Sequence, residues 1–301
     1  MQLFKKKTLR VDEEILIFDI QDEDANKVKS FYTVSPFPNF EKDNKSSVLK
    51  KGNNNFLAKN VKNFIGIKKK NILELGCGTG LLSNYFAIGT NNKIYAADLS
   101  LESLKIASRF SKENNIKNIT YVNLDVLDDL LPDNYFDFIW CNGVLHHTKN
   151  PYKSFEYLIK SLKKDGYILI GLYNKFSRVR TYIRKFFYKI FGKKYILRFD
   201  PVLRNLKKND SSIESWINDQ YHHPLESDHT FDEVLDWFKK NKIKFINSIP
   251  SCDFENNSHF NFLKKNESEG SFFTRFFSQI FSIFSKIGSD GGLFIFIGKK
   301  M

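Results

Sequence analysis

The stretch ILELGCGTG, Ile72 to Gly80, constrains this chain more than any other, because it joins a short buried strand to a glycine-rich turn built to hold a cofactor. Ile72, Leu73 and Leu75 read as a parallel strand covered on both faces. Gly76, Gly78 and Gly80 lack the Cβ atoms that would keep the backbone away from a ligand. A helix is predicted from about Leu81, so its N-terminal N–H groups and positive dipole end face the crevice above the strand's carboxyl end, where open α/β sheets bind ligands.

The spacing of the glycines separates two cofactor classes. Dinucleotide turns follow G-x-G-x-x-G, whereas here G-x-G-x-G runs into Leu81 and Leu82, which weakens a pyrophosphate reading. The next strand, Lys93 to Ala97, ends at Asp98, where a carboxylate can accept hydrogen bonds from two ribose hydroxyls of either kind of cofactor. Together with Glu74, Asp98, Asp125 and the segment FDFIWCNGVLHH, the turn resembles class I S-adenosylmethionine-dependent methyltransferases, closely over Asn71 to Tyr173 and more loosely beyond. The resemblance implies S-adenosyl-L-methionine as the cofactor. Gly76 and Gly78 would lie under its methionine part, Glu74 would help place its amino group, and Asp98 would hold its ribose. Asp125, after the strand Ile119 to Asn123, matches the family's acidic residue near the adenine amino group, with Val126 supplying backbone contacts; Asn142 faces the methyl-donor side. Cys77, Gly80 and Leu99 complete the candidate cofactor-binding set. Taken singly, each has a plainer reading, since a glycine turn can be only a tight turn and Asp98 or Asp125 only a helix cap. Their order along one strand–helix ladder favours the joint reading.

The core alternates strand and helix. A helix from about Leu101 to Asn114 precedes the third strand at Ile119; the fourth runs from Phe136 to Cys141, and a helix from Tyr152 to Leu162 follows Asn150-Pro151. Lys164-Asp165-Gly166 is predicted as a turn and Tyr167 to Leu172 as the fifth strand. After a break, Thr230 caps the helix FDEVLDWFKKN, and Ile243 to Ile249 gives a sixth strand. The apolar run from Gly291 to Lys300 reads as a seventh, which in the resembled fold inserts antiparallel between the fifth and sixth. The expected fold is therefore α/β: a Rossmann-like, doubly wound seven-stranded sheet, mostly parallel with an antiparallel last strand. Residues 69–173 and 230–301 form the expected core, 1–68 an N-terminal extension or lid, 174–229 an insertion capping the substrate, and 251–290 an aromatic attachment. In the extension, Pro36 and Pro38 force extended backbone around aromatic residues, and Phe31, Tyr32 and Phe37 are expected either to pack on the core or to touch the substrate.

With 301 residues, 42% of them hydrophobic, the chain can bury a proper core. The opening MQLFKKKTLR has no apolar run of a secretory signal, and no stretch of about 18 apolar residues is present to span a bilayer. A cytoplasmic protein is expected, with peripheral contact at the inner membrane surface as a further expectation. Cys77, Cys141 and Cys252 show no CxxC spacing, which fits a reducing compartment; Cys77 and Cys141 read as small buried residues rather than nucleophiles. The formal charge of +13 would suggest an anionic partner, yet abundant Lys, Asn, Ile and Phe are the pattern of an AT-rich coding sequence. What survives that discount is distribution: from Lys175 to Lys208 basic residues recur, and Asp200 is the only acid.

Methyl transfer from a sulfonium is an in-line displacement, so alignment and exclusion of water dominate and a base is needed only for a protonated acceptor. The candidates are His146 and His147 after the fourth strand, and Tyr221, His222, His223 and His229 in YHHPLESDH. Five of the six histidines lie in these two segments; packing inside and capping of turns is the plainer explanation. No metal site is expected, because adjacent histidines rarely point to one centre and no helical H-x-x-x-H spacing occurs. CNGVLHH lacks the Asn/Asp-Pro-Pro-aromatic motif that resembles amino-group methyltransferases, and Cys141-Asn142 is not a pyrimidine methyltransferase's Pro-Cys or Thr-Cys loop. What remains is similar to the small-molecule branch with the quinone-biosynthesis enzymes, which implies a small-molecule or lipid-linked acceptor and transfer to oxygen. Two alternatives stand beside it. RNA methylation would use the basic insertion, but no RNP motif appears and nucleic acid is disfavoured as a partner. A non-catalytic cofactor-binding scaffold is opposed by the intact glycine turn with Asp98 and Asp125.

Two segments raise the question of location. In SFFTRFFSQIFSIFSKIG, Phe272, Phe273, Phe276, Phe277, Ile280, Phe281, Phe284 and Ile287 recur at helical spacing, with serines on the other face. In YNKFSRVRTYIRKFFYKIFGKKY, aromatics alternate with arginines and lysines. Packing on the core is the ordinary expectation for such stripes; an interfacial site on a membrane is the other. The oligomeric state stays open.

Overall fold

A strand with Ile72, Leu73 and Leu75 on alternate faces needs cover on both sides, and the fold supplies it. The computed structural model describes residues 3–6, 10–34, 44–205, 212–254, 263, 267–284 and 292–301. The N-terminal segment forms β1 (Arg10–Asp12), β2 (Ile15–Ile17), α1 (Glu23–Val34), α2 (Lys45–Asn54) and α3 (Phe56–Ile65). The core continues through β3 (Asn71–Leu75), α4 (Leu81–Ala87), β4 (Lys93–Asp98), α5 (Leu101–Glu113), β5 (Ile119–Asn123), β6 (Phe136–Asn142), α6 (Pro151–Ser161) and β7 (Leu162–Tyr173). Then follow α7 (Val179–Phe191), α8 (Lys193–Phe199), α9 (Ser212–Ile217), a π-helical turn at Asn218–His222, α10 (Phe231–Lys240), β8 (Ile243–Ile249), α11 (Phe272–Ser282) and β9 (Leu293–Lys300). Pro36, Phe37, Pro38, Lys208, Ile287 and Gly291 lie outside the described residues.

The strands form one sheet in the order β1-β2-β5-β4-β3-β6-β7-β9-β8. β9 runs antiparallel between β7 and β8, as the late apolar run implied, and the strands from β2 to β7 pair in parallel. The expected count of seven is corrected to nine among the described residues. The N-terminal segment adds a hairpin in which Ile15 pairs with Tyr121 and covers the β5 edge that would otherwise present unpaired backbone. Its turn places Glu13 and Glu14 at φ 47 and 68, without the Asn-Gly signal usual for such a hairpin, and its strands are three residues long. The expected turn at Lys164–Gly166 is also corrected: it is an irregularity inside β7. Leu162 pairs with Phe136 and Tyr167 with Phe138, and Asp165 takes up the extra residues at φ 61.

Alternate β3 side chains feed opposite layers. Leu73 and Leu75 join Phe155, Trp237 and Phe238 from α6 and α10, while Ile72 joins Val61, Ile65 and Phe86 from α3 and α4. Each such fully buried side chain contributes about 1.5–3 kcal/mol, so the sheet's centre holds the carboxyl ends of β3, β4 and β6 rigidly. After β7 the chain leaves the sheet and returns. Lys175 N–H donates to the His229 carbonyl and His229 N–H to the Tyr173 carbonyl, which closes the base of the excursion beside the same carboxyl ends.

Candidate active site

Leaving β3, the chain turns back toward α4 within a few residues, and Gly76, Gly78 and Gly80 adopt φ 70, 52 and 82, where an L side chain is strained. A Cβ on Gly76 would stand 2.2 Å from Val144 Cγ2, and one on Gly80 would stand 2.6 Å from Ala107 Cβ. The two glycines therefore differ in role. Gly80 packs α4 against α5, whereas Gly76, Cys77 and Gly78 line a cavity of about 410 Å³ at the carboxyl edge of the sheet.

Of the other residues expected to bind the cofactor, Glu74, Asp98, Leu99, Asp125, Val126 and Asn142 line the same cavity. Asp98 Oδ2 accepts from the Gly78 N–H at 2.7 Å and Oδ1 from the Ser100 N–H at 2.8 Å. A carboxylate has about four lone-pair sites, so about two are left over, one on each oxygen. Burial raises the Asp98 pKa against the opposing effect of those N–H groups. Asp125 caps a short turn through Leu127 N–H, 2.9 Å away, and still lines the cavity; burial pushes its carboxyl up to about 6. The capping and ligand-facing readings of Asp125 are thus compatible. Asn142 Oδ1 is buried without a protein partner, and a Cβ on Gly171 would come within 1.7 Å of it, so the glycine makes room for this amide. A glycine cradle, two spare carboxylate acceptors and an unpartnered amide oxygen are what a polar, ribose-bearing cofactor requires.

The far side of the cavity is built from elements outside that ladder. Tyr32 of α1 donates to Asp219 Oδ1 at 2.8 Å, and Gln220 Nε2 donates to Asp219 Oδ2 at 2.8 Å and to the Tyr173 hydroxyl at 2.9 Å. Behind them Arg178, fully buried, donates from Nε to Glu226 at 2.6 Å and from Nη1 to Gln220 Oε1 at 2.6 Å, with its guanidinium 3.7 Å from the Tyr173 ring centre. Burial pushes the Glu226 carboxyl up, but Arg178 and Lys185 more than offset this and hold it below the usual range.

The expected bases are dispersed by this arrangement. His147 lines the cavity; its Nδ1 lies 2.8 Å from the Leu225 carbonyl, which makes Nδ1 the donor and Nε2 the acceptor. Burial lowers its pKa to about 4. His223 stacks on His147 at 3.6 Å and is lowered to about 3, again chiefly by burial, while His146 stacks on Tyr173 at 3.8 Å and is lowered well below 6.5. Tyr221 donates to Asp200 at 2.7 Å, His222 is exposed beside the Tyr188 hydroxyl, and His229 bonds Ser227 and Glu233. The structure brings none of Tyr221, His222, His223 and His146 to the cavity lining. Among the described residues no group of three or more His, Cys, Asp or Glu side chains is placed to hold a metal ion.

Residues 73–170 match the family described as a methyltransferase domain. The ubiquinone biosynthesis O-methyltransferase of Glaesserella parasuis is 30% identical over 141 residues, 45% of this chain and 56% of that protein. The enzyme of the same name from Nitrosomonas europaea is 27% identical over 137 residues, 45% of this chain and 55% of its own length. This chain therefore spans about half the length of these curated relatives. PKMT2 from Rickettsia typhi in complex with AdoHcy superposes with TM-score 0.55 at 16% identity, over 82% of this chain and 52% of that one. Magnesium protoporphyrin IX methyltransferase from Synechocystis with bound SAH gives 0.54 at 11% identity, over 93% and 100%; both likenesses are of fold.

The chain carries a class I S-adenosylmethionine-dependent methyltransferase domain. S-adenosylmethionine is its cofactor. The family match runs from β3 into β7, so the methyltransferase domain includes the glycine turn, Asp98, Asp125 and Asn142 but neither α1 nor the segment after β7. Those outer parts carry the residues that sequence reasoning missed. Asp219 and Gln220 immediately precede the tyrosine and histidines singled out by their clustering, and the π-helical turn sets which of them face inward. Only the nearness of that cluster pointed to them.

A pH dependence follows from Glu74. Burial pushes this carboxyl from 4.5 to about 8, against a bond donated by the Ser83 hydroxyl. Between those values the folded methyltransferase domain keeps a proton that the unfolded chain has released, so unfolding free energy falls as pH rises through the window. Without cofactor, the melting temperature should decline across it more steeply for the native protein than for Glu74→Gln. Parallel curves for the two proteins would contradict the assignment.

Proposed function

We propose that the protein transfers a methyl group from S-adenosylmethionine to a hydroxyl of a small or lipid-linked phenolic acceptor. One observation carries this reading: a single cavity has Glu74, Gly76, Asp98 and Asp125 on one side and Tyr32, Asp219, Gln220 and His147 on the other. Donor and acceptor sides thus share one enclosure from which water can be excluded. The names of the ubiquinone biosynthesis O-methyltransferases support oxygen as the acceptor atom.

On the donor side Asp98 would hold the ribose, Asp125 the adenine amino group, Gly76 and Gly78 the methionine part, and Glu74 its amino group. When bound, the cofactor supplies an electrophilic methyl on a sulfonium. On the acceptor side Trp216 offers its ring to a planar substrate, while Tyr173, its faces covered by Arg178 and His146, holds the wall. Asp219, whose two oxygens are held by Tyr32 and Gln220, has remaining lone pairs that accept from a second hydroxyl of the acceptor and so orient it. His147 Nε2, the ring's acceptor, takes the hydroxyl proton.

Titration calorimetry with S-adenosylhomocysteine, followed by transfer assays on catechols of increasing isoprenoid tail length, tests the reading. Cofactor binding without methyl transfer to any phenolic oxygen would overturn it. His147→Ala should lower kcat by about 100-fold with cofactor affinity unchanged. Because burial holds His147 near 4, the acid limb of the kcat profile should fall there and not near 6.5. A rate within about twofold of native would assign proton removal to another group.

A further inference from the structure

Two helices beside the cavity are amphipathic in the inverted sense. In α7 the buried side chains are Thr181 and Arg184, while Ile183, Phe186, Ile190 and Phe191 face outward. In α11 the buried side chains are Ser278, Gln279 and Ser282, and the phenylalanine stripe is exposed. Specific bonds set this orientation. Gln279 Oε1 accepts from Asn174 Nδ2 and from the Phe231 N–H, both at 2.9 Å, Ser278 donates to the Ser251 carbonyl, and the Ser282 and Ser177 hydroxyls share a bond. Phe186, Phe273 and Phe284 are left 60%, 70% and 82% exposed. Each ring left in water forgoes the free energy of burial, and monomer surfaces seldom gather so many.

The two helices meet. Phe176, just before α7, packs edge to face on Phe276 at 5.7 Å, and Arg180 in the first turn of α7 donates to the Ile283 carbonyl at the end of α11 at 2.5 Å, which ties the start of one helix to the end of the other. Exposed Lys175, Lys189, Lys194 and Arg198 belong to the same α7–α8 stretch, where the only acid from Lys175 to Arg204 is the buried Asp200.

We propose that the outward face of α7 and α11 docks on an anionic lipid bilayer, with phenylalanine rings in the acyl boundary and the lysines and arginine on lipid phosphates. Charge selects this occupant. A second copy of the chain seated on the same face would oppose one basic stretch to another across a two-fold axis, which is repulsive. The face adjoins the cavity roof through Arg178, which precedes α7 and bonds the cavity-lining Gln220. Docking stands on the helices alone and does not depend on the methyl-transfer reading.

Flotation of the full chain with vesicles tests it. The protein should float with phosphatidylglycerol-containing vesicles at low salt, weakly with phosphatidylcholine alone, and less at high salt. The double variant Phe273→Ser/Phe277→Ser, altered only at exposed positions and checked by circular dichroism, should lose flotation. Lys189→Gln and Lys194→Gln should each weaken binding about fivefold at low salt. Absence of flotation on anionic vesicles at low salt, or native-like flotation of the phenylalanine variant, overturns the proposal. So does concentration-dependent dimerisation that the phenylalanine variant abolishes while vesicles bind neither protein.

Discussion

Asp98→Asn is expected to remove most of the protein's affinity for S-adenosylmethionine while leaving the fold intact. Two lone-pair sites of the carboxylate are occupied by the Gly78 and Ser100 N–H groups, and the two left over are the acceptors proposed for the ribose hydroxyls. Hydrogen bonds to a charged group are worth about 1.5–3 kcal/mol each, so weakening two of them should reduce affinity about 100-fold or more. Stability should fall modestly, by about 1–3 kcal/mol: folding disfavours the buried charge, but the asparagine carbonyl can keep only one of the two N–H donors and its NH2 faces the other. Calorimetry with S-adenosylhomocysteine beside a thermal melt separates the two effects. Native affinity in a folded Asp98→Asn variant would reduce the residue to a link between the glycine turn and α5.

Arg178→Ala should destabilise the protein by about 3–5 kcal/mol, the range for breaking a buried ion pair from one side. The guanidinium is fully buried, bonds both Glu226 and Gln220, and stacks on Tyr173. Its removal leaves Glu226 with Lys185 as its other ion-pair partner and takes a donor from Gln220, which in turn bonds Asp219 and Tyr173. Arg178→Lys should not restore stability, because one ammonium replaces a planar fork that serves two acceptors and a ring. Urea unfolding measures the loss; a midpoint equal to the native one would sink the argument. The same lesion should weaken acceptor binding more than cofactor binding, since Asp98 and Asp125 do not touch this network.

That the glycine turn, Asp98, Asp125 and Asn142 come together at one cavity was legible in the sequence because the arrangement is local. A strand, a glycine turn and an acid at the next strand's end are separated by short segments of strong periodicity, and parallel pairing of β3 with β4 brings Glu74 level with Ala96 and the turn beside Asp98. Of the proposed acceptor side, Tyr32 was open to a substrate-contact reading but Asp219 and Gln220 were not legible. Tyr32 and Asp219 stand 187 residues apart and meet only because α1 and the π-helical turn cover the same cavity. The β1–β2 hairpin escaped notice for another reason, since three-residue strands joined by two glutamates carry neither a usable period nor a turn signal.

Order, period and local chemistry are properties of the sequence alone: they determined the parallel core, the late antiparallel strand, the glycine cradle, and the existence of two helices striped with phenylalanine. Direction was decided only in the tertiary structure. A stripe marks one side of a helix without stating which side meets the core, and here Gln279, Ser278 and Ser282 find buried partners at Asn174, Phe231, Ser251 and Ser177. Likewise the π-helical turn, and not the histidine cluster, set Asp219 and Gln220 into the cavity while Tyr221 turned to Asp200 and His222 to solvent. Side-chain phase depends on what each helix is bonded to, and those partners lie far away along the chain.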